Sequence, residues 1–300
     1  MDALEPRGAR AAAVVRDAVS PKVRSTRDIA ALSRIPVLGD IPADRVLVTT
    51  PLVIRDGRGS VVELPLQTLR TGLDQVRSRA GRSSFVFTGA AHGQGTTTVT
   101  ANVALAFAGA GASVAVVDAD PEQPALSRLF GIHHGAGLTE LLAGASALDD
   151  VLRAGAAGGV DVLPAGSYAG DLPLSGRRMA DLLADLRERY DVVLVDAPPA
   201  PAIPDVAVLG ALGNAAVLVA SRGVPRARVE DALATLGAAG STPVGVVLNG
   251  HARRGGRRMV RHVRVVRGAD PGPVPEIEPA HLAPALPAGV PEQLEAPMVT

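Results

Sequence analysis

FVFTGAAHGQGTTTVTANVA, residues 85–104, is the stretch on which the fold turns. Three apolar residues, Phe85–Phe87, run into a turn bearing Gly93 and Gly95, and Thr96, Thr97 and Thr98 then open an Ala/Val-rich helical pattern. Strand, Gly-rich turn and helix N-terminus in that order describe a phosphate-binding loop. Its glycines let backbone N–H groups approach phosphate oxygens, and the helix end favours negative charge. Gly93, Gln94, Gly95, Thr96, Thr97 and Thr98 are therefore the candidate nucleotide-binding residues, with the Thr97 hydroxyl placed to ligate Mg²⁺. The plain alternative is a Gly turn that caps a helix. One element of the pattern is missing: where such a loop carries a lysine after its last glycine, this chain has Thr96. Lys22 is the only lysine in 300 residues, but an arginine-rich chain would be expected to offer Arg at that position.

Outward from the loop, apolar strand candidates recur at Val114–Val117, Val160–Leu163, Val192–Val195, Ala216–Val219 and Val244–Leu248. Helical patterns separate them, clearest at Thr97–Ala108, Arg177–Arg189 and Arg226–Gly237. Near-continuous apolar strands alternating with helices predict an α/β fold, a parallel β-sheet flanked by helices on both faces. Ligands on such sheets bind beyond the carboxyl ends of the strands, where each candidate residue falls. Three regions are expected: an N-terminal arm with one helix (Leu66–Arg79) over 1–82, the loop-bearing domain over 83–250, and a basic segment with a tail over 251–300. From Gly268 onward the tail holds 8 prolines and neither Lys nor Arg, a composition expected to be disordered.

The balance of 30 basic and 30 acidic residues argues for no particular polyanionic partner, and zero cysteines exclude disulfides and thiolate metal sites. The longest apolar stretch, Ala207 to Ala220, is interrupted by Asn214 and too short to span a bilayer. The chain is read as soluble and cytoplasmic.

Asp118 and Asp120 follow a strand in VAVVDADPEQP, where carboxylates can orient a water on Mg²⁺ or act as a general base. A turn or helix-capping role is the alternative, which Pro121 makes plausible. Asp196, after four apolar residues in YDVVLVDAPP, has the pattern of a carboxylate that holds Mg²⁺ through water. Thr97, Asp118 and Asp196 form the candidate metal set. Asn249 ends the last strand in VVLNG, suited either to an adenine edge or to a turn before Gly250. Arg222 is read as solvated, with phosphate contact as the alternative. Seven arginines within 251–268 suit an anionic membrane surface through residues 253–267, or a solvated helix or spacer. Nucleic acid is disfavoured, because no aromatics interleave with the arginines. His133 and His134 lack companions for a metal.

As an ordered set these segments resemble the cytoplasmic domain of bacterial tyrosine kinases (BY-kinases) of capsule and exopolysaccharide synthesis, in the MinD/ParA class of P-loop NTPases. The resemblance runs through IPVLGDIP (35–42), TLRTGL (68–73), the loop, VAVVDADPEQPALSRLFG (114–131), GLTELLAG (137–144), DVLPAG (161–166), YDVVLVDAPP (190–199) and GVVLNG (245–250). It implies ATP and Mg²⁺ as cofactors, Thr97 and Asp196 on the metal, Asp118 and Asp120 near the γ-phosphate as catalytic carboxylates, and Asn249 near adenine. It also implies a membrane-anchored polysaccharide co-polymerase subunit as partner, and homo-oligomers.

Departures from the family temper what it implies. The family's loop reads close to PGEGKTT, whereas HGQGTTT stands here, so His92, Gln94 and Thr96 differ. The Glu-x-x-Arg-x-x-Arg pattern that supports ring assembly is matched by Leu64, Gln67 and Arg70, of which only the last remains. Glu122 and Gln123 stand where basic residues are usual, and the only tyrosines are Tyr168 and Tyr190, so the C-terminal tyrosine cluster is absent. The expectation is weak nucleotide binding, little catalysis, and a regulatory or scaffolding role in surface polysaccharide synthesis. The alternatives are an active ATPase or tyrosine kinase, and a MinD/ParA-like positioning protein on membrane or DNA.

Overall fold

Eight strands form one sheet: β1 (Val37–Ile41), β2 (Ser84–Gly89), β3 (Val114–Asp118), β4 (Arg153–Ala157), β5 (Val160–Leu163), β6 (Val192–Asp196), β7 (Ala216–Ser221) and β8 (Pro243–Asn249). Their order is β1-β8-β7-β2-β6-β3-β5-β4, and every pairing is parallel except the β4–β5 edge. This computed structural model describes residues 20–56, 59–132, 135–167, 174–201, 204–212, 215–241 and 243–250. The chain divides into two units, 1–258 and 259–300, and all described residues belong to the first. The basic segment, the proline-rich tail, Tyr168 and His133–His134 lie outside the described residues.

The principal helices are α1 (Thr26–Leu32), α2 (Glu63–Ala80), α3 (Thr96–Gly109), α4 (Ala125–Leu129), α5 (Leu138–Ala143), α6 (Arg177–Arg189), α7 (Pro204–Leu212) and α8 (Arg226–Ala238). Side-chain alternation along the strands builds an apolar layer on each face of the sheet. Phe85 and Phe87 point to the layer of α2 and α3, where Leu66, Leu69, Leu73, Val103 and Phe107 cover them. Val86, Val193 and Val195 point to the other face, covered by Met179, Leu183 and Leu186 of α6 and by Val206 and Leu209 of α7. Both faces are thus buried, which is why the strands read as unbroken apolar runs.

Val160–Leu163 and Arg177–Arg189 have the bounds their periodicity predicts, and the other predicted elements extend by at most three residues at either end. Two strands carry no such signal. β1 contains Gly39 and Asp40 and lies between Pro36 and Pro42, so propensity disfavours it. Tertiary fit decides instead: Leu38 fills the space over Gly245, and Leu69 of α2 closes onto Gly39. The segment read as an N-terminal arm therefore contributes an edge strand paired with β8 and the helix that covers β1. β4, RAGAA, sets four small residues after Arg153 and pairs antiparallel at the opposite edge. The apolar run Ala207–Ala220 divides between α7 and β7, and among the described residues no helix is long and apolar enough to cross a membrane.

At the β5 end of the sheet, Glu140 accepts hydrogen bonds from Gly137 N (2.7 Å), Thr139 Oγ1 (2.9 Å), Ser167 N (3.0 Å) and Ser167 Oγ (3.0 Å). One carboxylate thereby caps α5 and fixes the loop after β5. Glu140→Ala is expected to lose about 1–2 kcal/mol of stability, which thermal denaturation would register as a melting temperature lower by roughly 2–8 °C. An unchanged melting temperature would deny Glu140 that role.

Candidate nucleotide site

β2 delivers the chain to the loop at Gly89, and α3 leaves it at Thr96. Gly93 and Gly95 take positive φ, 74° and 81°, in the left-handed region that side chains other than glycine rarely occupy. Gly95 is required twice over, because a Cβ there would strike Asn249 Nδ2. The first bond of α3 runs from Val99 N to Gly95 O (3.0 Å). Helix geometry leaves the N–H groups of Thr96, Thr97 and Thr98 without intrahelical acceptors, at the end where the helix dipole is positive.

The tip of the loop is braced against the sheet. Gln94 is only 7 % exposed, and its Oε1 accepts from both Ser221 N (2.7 Å) and Ser221 Oγ (2.9 Å) at the end of β7. Its backbone carbonyl accepts from Asn249 Nδ2 (2.9 Å) at the end of β8. Asn249 Oδ1 is left buried without a hydrogen-bond partner. Such an orphaned acceptor is costly unless a ligand donor meets it. Arg222, read as solvated, is instead ion-paired with Asp40 of β1 and donates to the Arg24 carbonyl.

Two carboxylates face the loop from neighbouring strands. Asp118 and Asp196 are register partners across β3 and β6, and both are buried. Asp118 Oδ2 accepts from Ser127 N (2.8 Å) and Ser127 Oγ (2.6 Å), while its Oδ1 meets Asp120 N at 3.3 Å. Burial pushes the Asp118 carboxyl up to about 6 in spite of those bonds. Asp196 is raised well above the ordinary carboxylate range, first by burial and then by the charge of Asp118. Hydrogen bonds from Thr97 and Thr100 oppose that rise, the Thr100 hydroxyl lying 3.5 Å from Asp196 Oδ1. Asp120 Oδ1 accepts from Gln123 N (3.0 Å), a turn-stabilising bond. Beyond Ser127 opens a cleft of about 360 Å³ lined by Pro124, Arg128, Pro164 and Gly166.

Gly93 to Thr98, Asp118, Asp196 and Asn249, four regions scattered over 157 residues of chain, thus converge at the carboxyl ends of β2, β3, β6 and β8. Asp120 lies beyond β3 and joins the carboxylates through its turn, its N–H meeting Asp118 Oδ1 at 3.3 Å while its side chain accepts from Gln123 N. Among the described residues no group of three or more His, Cys, Asp or Glu could hold a metal by itself. The Thr97 hydroxyl bonds Asp196, so one hydroxyl and one carboxylate stand together at the start of α3. Sequence reasoning missed Ser221 and Ser127, which anchor Gln94 and Asp118. Serines carry no periodic or motif signal, and only folding brings Ser221 to a residue 127 positions away. On α2, Leu64 is exposed, and Arg70 stacks over Phe107 (5.9 Å to the ring centroid).

Comparison with known proteins agrees with this geometry. A family model described as an AAA domain matches residues 86–221. The tyrosine-protein kinase YwqD of Bacillus subtilis is 31 % identical over 190 residues, 61 % of this chain and 79 % of that protein. Tyrosine-protein kinase etk of Escherichia coli is 32 % identical over 206 residues, 68 % of this chain but only 28 % of that protein. Against the putative kinase EpsB of Ralstonia solanacearum, the chain spans 21 % of the relative's length. Among solved structures, the kinase domain of E. coli ETK superposes with a TM-score of 0.70 at 28 % identity, covering 77 % of this chain and 96 % of that one. The BceF tyrosine kinase domain gives 0.70 at 27 %, covering 77 % and 99 %. With the P-loop fold shared, the motifs in order and one relative, YwqD, matched over 79 % of its length, the chain belongs to the bacterial tyrosine kinase (BY-kinase) family of P-loop NTPases.

Proposed function

We propose that this chain is a nucleotide-binding domain that holds Mg-ATP or Mg-ADP weakly, turns it over poorly, and acts as a regulator or scaffold in surface polysaccharide synthesis. The observation that carries the reading is a loop intact in backbone and in carboxylate partners, but without a cation at position 96. Backbone N–H groups of Thr96–Thr98 would cradle the phosphates, and Thr97 and Asp196 would hold Mg²⁺, which neutralises phosphate charge. Asn249 Oδ1, buried and unpartnered, would accept from the amino group of adenine, a donor that guanine lacks at the same edge. With Oδ2 committed to Ser127, Asp118 Oδ1, which takes only the longer bond from Asp120 N, would accept from a water or hydroxyl near the terminal phosphate. Its partner would be a membrane-anchored co-polymerase subunit at the inner face of the plasma membrane, a role of the relatives' family rather than of any residue here.

Calorimetry of the native chain with Mg-ATP is the test. Affinity weaker than micromolar is expected, together with no phosphotyrosine on the chain and no phosphate release above background. Micromolar or tighter binding with turnover would replace this reading by that of an active kinase or ATPase.

A further inference from the structure

We propose that positions 94 and 96 form a charge-compensated pair, so that the neutrality of Gln94 is what allows the phosphate loop to keep its shape without a lysine. The inference deepens the nucleotide-site reading, and only its binding arm rests on that reading. Gln94 is buried and its Oε1 takes both donors of Ser221, so this side chain latches the loop to β7. Thr96 Oγ1 and Gln94 Cγ crowd one point, the Cβ position that Gly89 lacks, at 3.0 and 3.5 Å. Side chains at 94 and 96 therefore flank the same small space beneath the loop.

A carboxylate at position 94 would accept the same two bonds from Ser221, so the latch as such does not demand an amide. What differs is the charge, together with the long bond that Gln94 Nε2 donates to the His92 carbonyl (3.4 Å). Arg222, the residue that follows β7, is engaged with Asp40 and the Arg24 carbonyl. A carboxylate at 94 would thus stay buried and uncompensated unless a cation stood at 96, and an unpaired buried charge is strongly destabilising. With Thr96 present, Gln is the residue that makes the latch and adds no charge.

A double-mutant cycle over Gln94→Glu and Thr96→Lys tests this, read by thermal denaturation without nucleotide and by Mg-ADP calorimetry, at pH 8. Gln94→Glu alone is expected to lower the melting temperature by roughly 5–15 °C. Adding Thr96→Lys should recover at least half of that loss, although Thr96→Lys by itself should not stabilise. In calorimetry, Gln94→Glu should weaken Mg-ADP at least 10-fold in the native background and less than 3-fold in the Thr96→Lys background. If Gln94→Glu fails to fold and the double variant folds, the coupling holds in its strongest form. If both fail to fold, or the melting shifts add without interaction, the proposal is overturned. Coupled melting shifts without nucleotide binding in any variant would leave the pair standing and remove the nucleotide-site reading instead.

Discussion

Thr96→Lys is expected to raise affinity for Mg-ATP and Mg-ADP by about 10- to 100-fold over the native chain. The magnitude follows from one charge-assisted hydrogen bond to phosphate, worth ~1.5–3 kcal/mol, which converts to that range of dissociation constants. Geometry supports the placement: Thr96 already projects back beneath the loop, toward Gly89, so a longer side chain starts from the right position. The rest of the cradle is unchanged by the substitution. Gly93 and Gly95 keep their left-handed turns, Gln94 and Asn249 hold the tip, and the first N–H groups of α3 remain available. Rate responds more steeply than binding, because one preorganised donor at developing charge typically contributes ~10²–10³. Thr96→Ala is the control, since it removes the hydroxyl and no charge, and should change affinity less than 3-fold. Calorimetry on the three proteins decides the matter. Equal affinity of native and Thr96→Lys chains, both at micromolar or tighter, would mean that position 96 does not limit the pocket.

In the absence of Mg²⁺ the folded protein is expected to lose stability as pH rises from about 4 to about 6. The sign follows from proton counting. Asp118 titrates near 6 when folded and near its ordinary 3.8 when unfolded, so between these values the folded state holds the extra proton. Stability falls wherever the folded state binds more protons as pH increases, and it levels off once Asp118 is ionised in both states. A shift of this size corresponds to roughly 3 kcal/mol, or a melting temperature lower by about 6–12 °C. Asp196, raised by burial and by the Asp118 charge, extends the decline in the same direction. Asp118→Asn keeps an oxygen for the Ser127 bonds and removes the ionisation, so the slope between pH 4 and 6 should flatten. Chemical denaturation at several pH values in EDTA measures it. A native chain that instead gains stability through this window would show that the pair is solvated rather than buried.

Much of the architecture was legible before folding, and the reason is local. Continuous runs such as VAVVD and VVLVD can only be strands buried on both faces, and α6 matches its predicted bounds because RRMADLLADLRER repeats its apolar residues at helical spacing. Gly93, Gly95 and the threonines announce a phosphate loop because a left-handed turn before a helix has few sequence solutions. β1 was illegible for the opposite reason: its Gly39 and Asp40 oppose strand propensity, and it becomes a strand only through contacts of Gly39 with Leu69, thirty positions on, and of Leu38 with Gly245, 207 positions on.

The sequence by itself determined the parallel sheet, the loop and the absence of its lysine, because each is written in short consecutive runs of residues. Tertiary structure alone decided that Asp118 and Asp196 share a buried register, that Arg222 turns to Asp40, and that Ser221 and Asn249 clamp Gln94. Those relations depend on strand order, and a parallel sheet makes neighbours of strands distant in sequence. Burial and mutual charge, which set how the two carboxylates titrate, exist only once that order has formed.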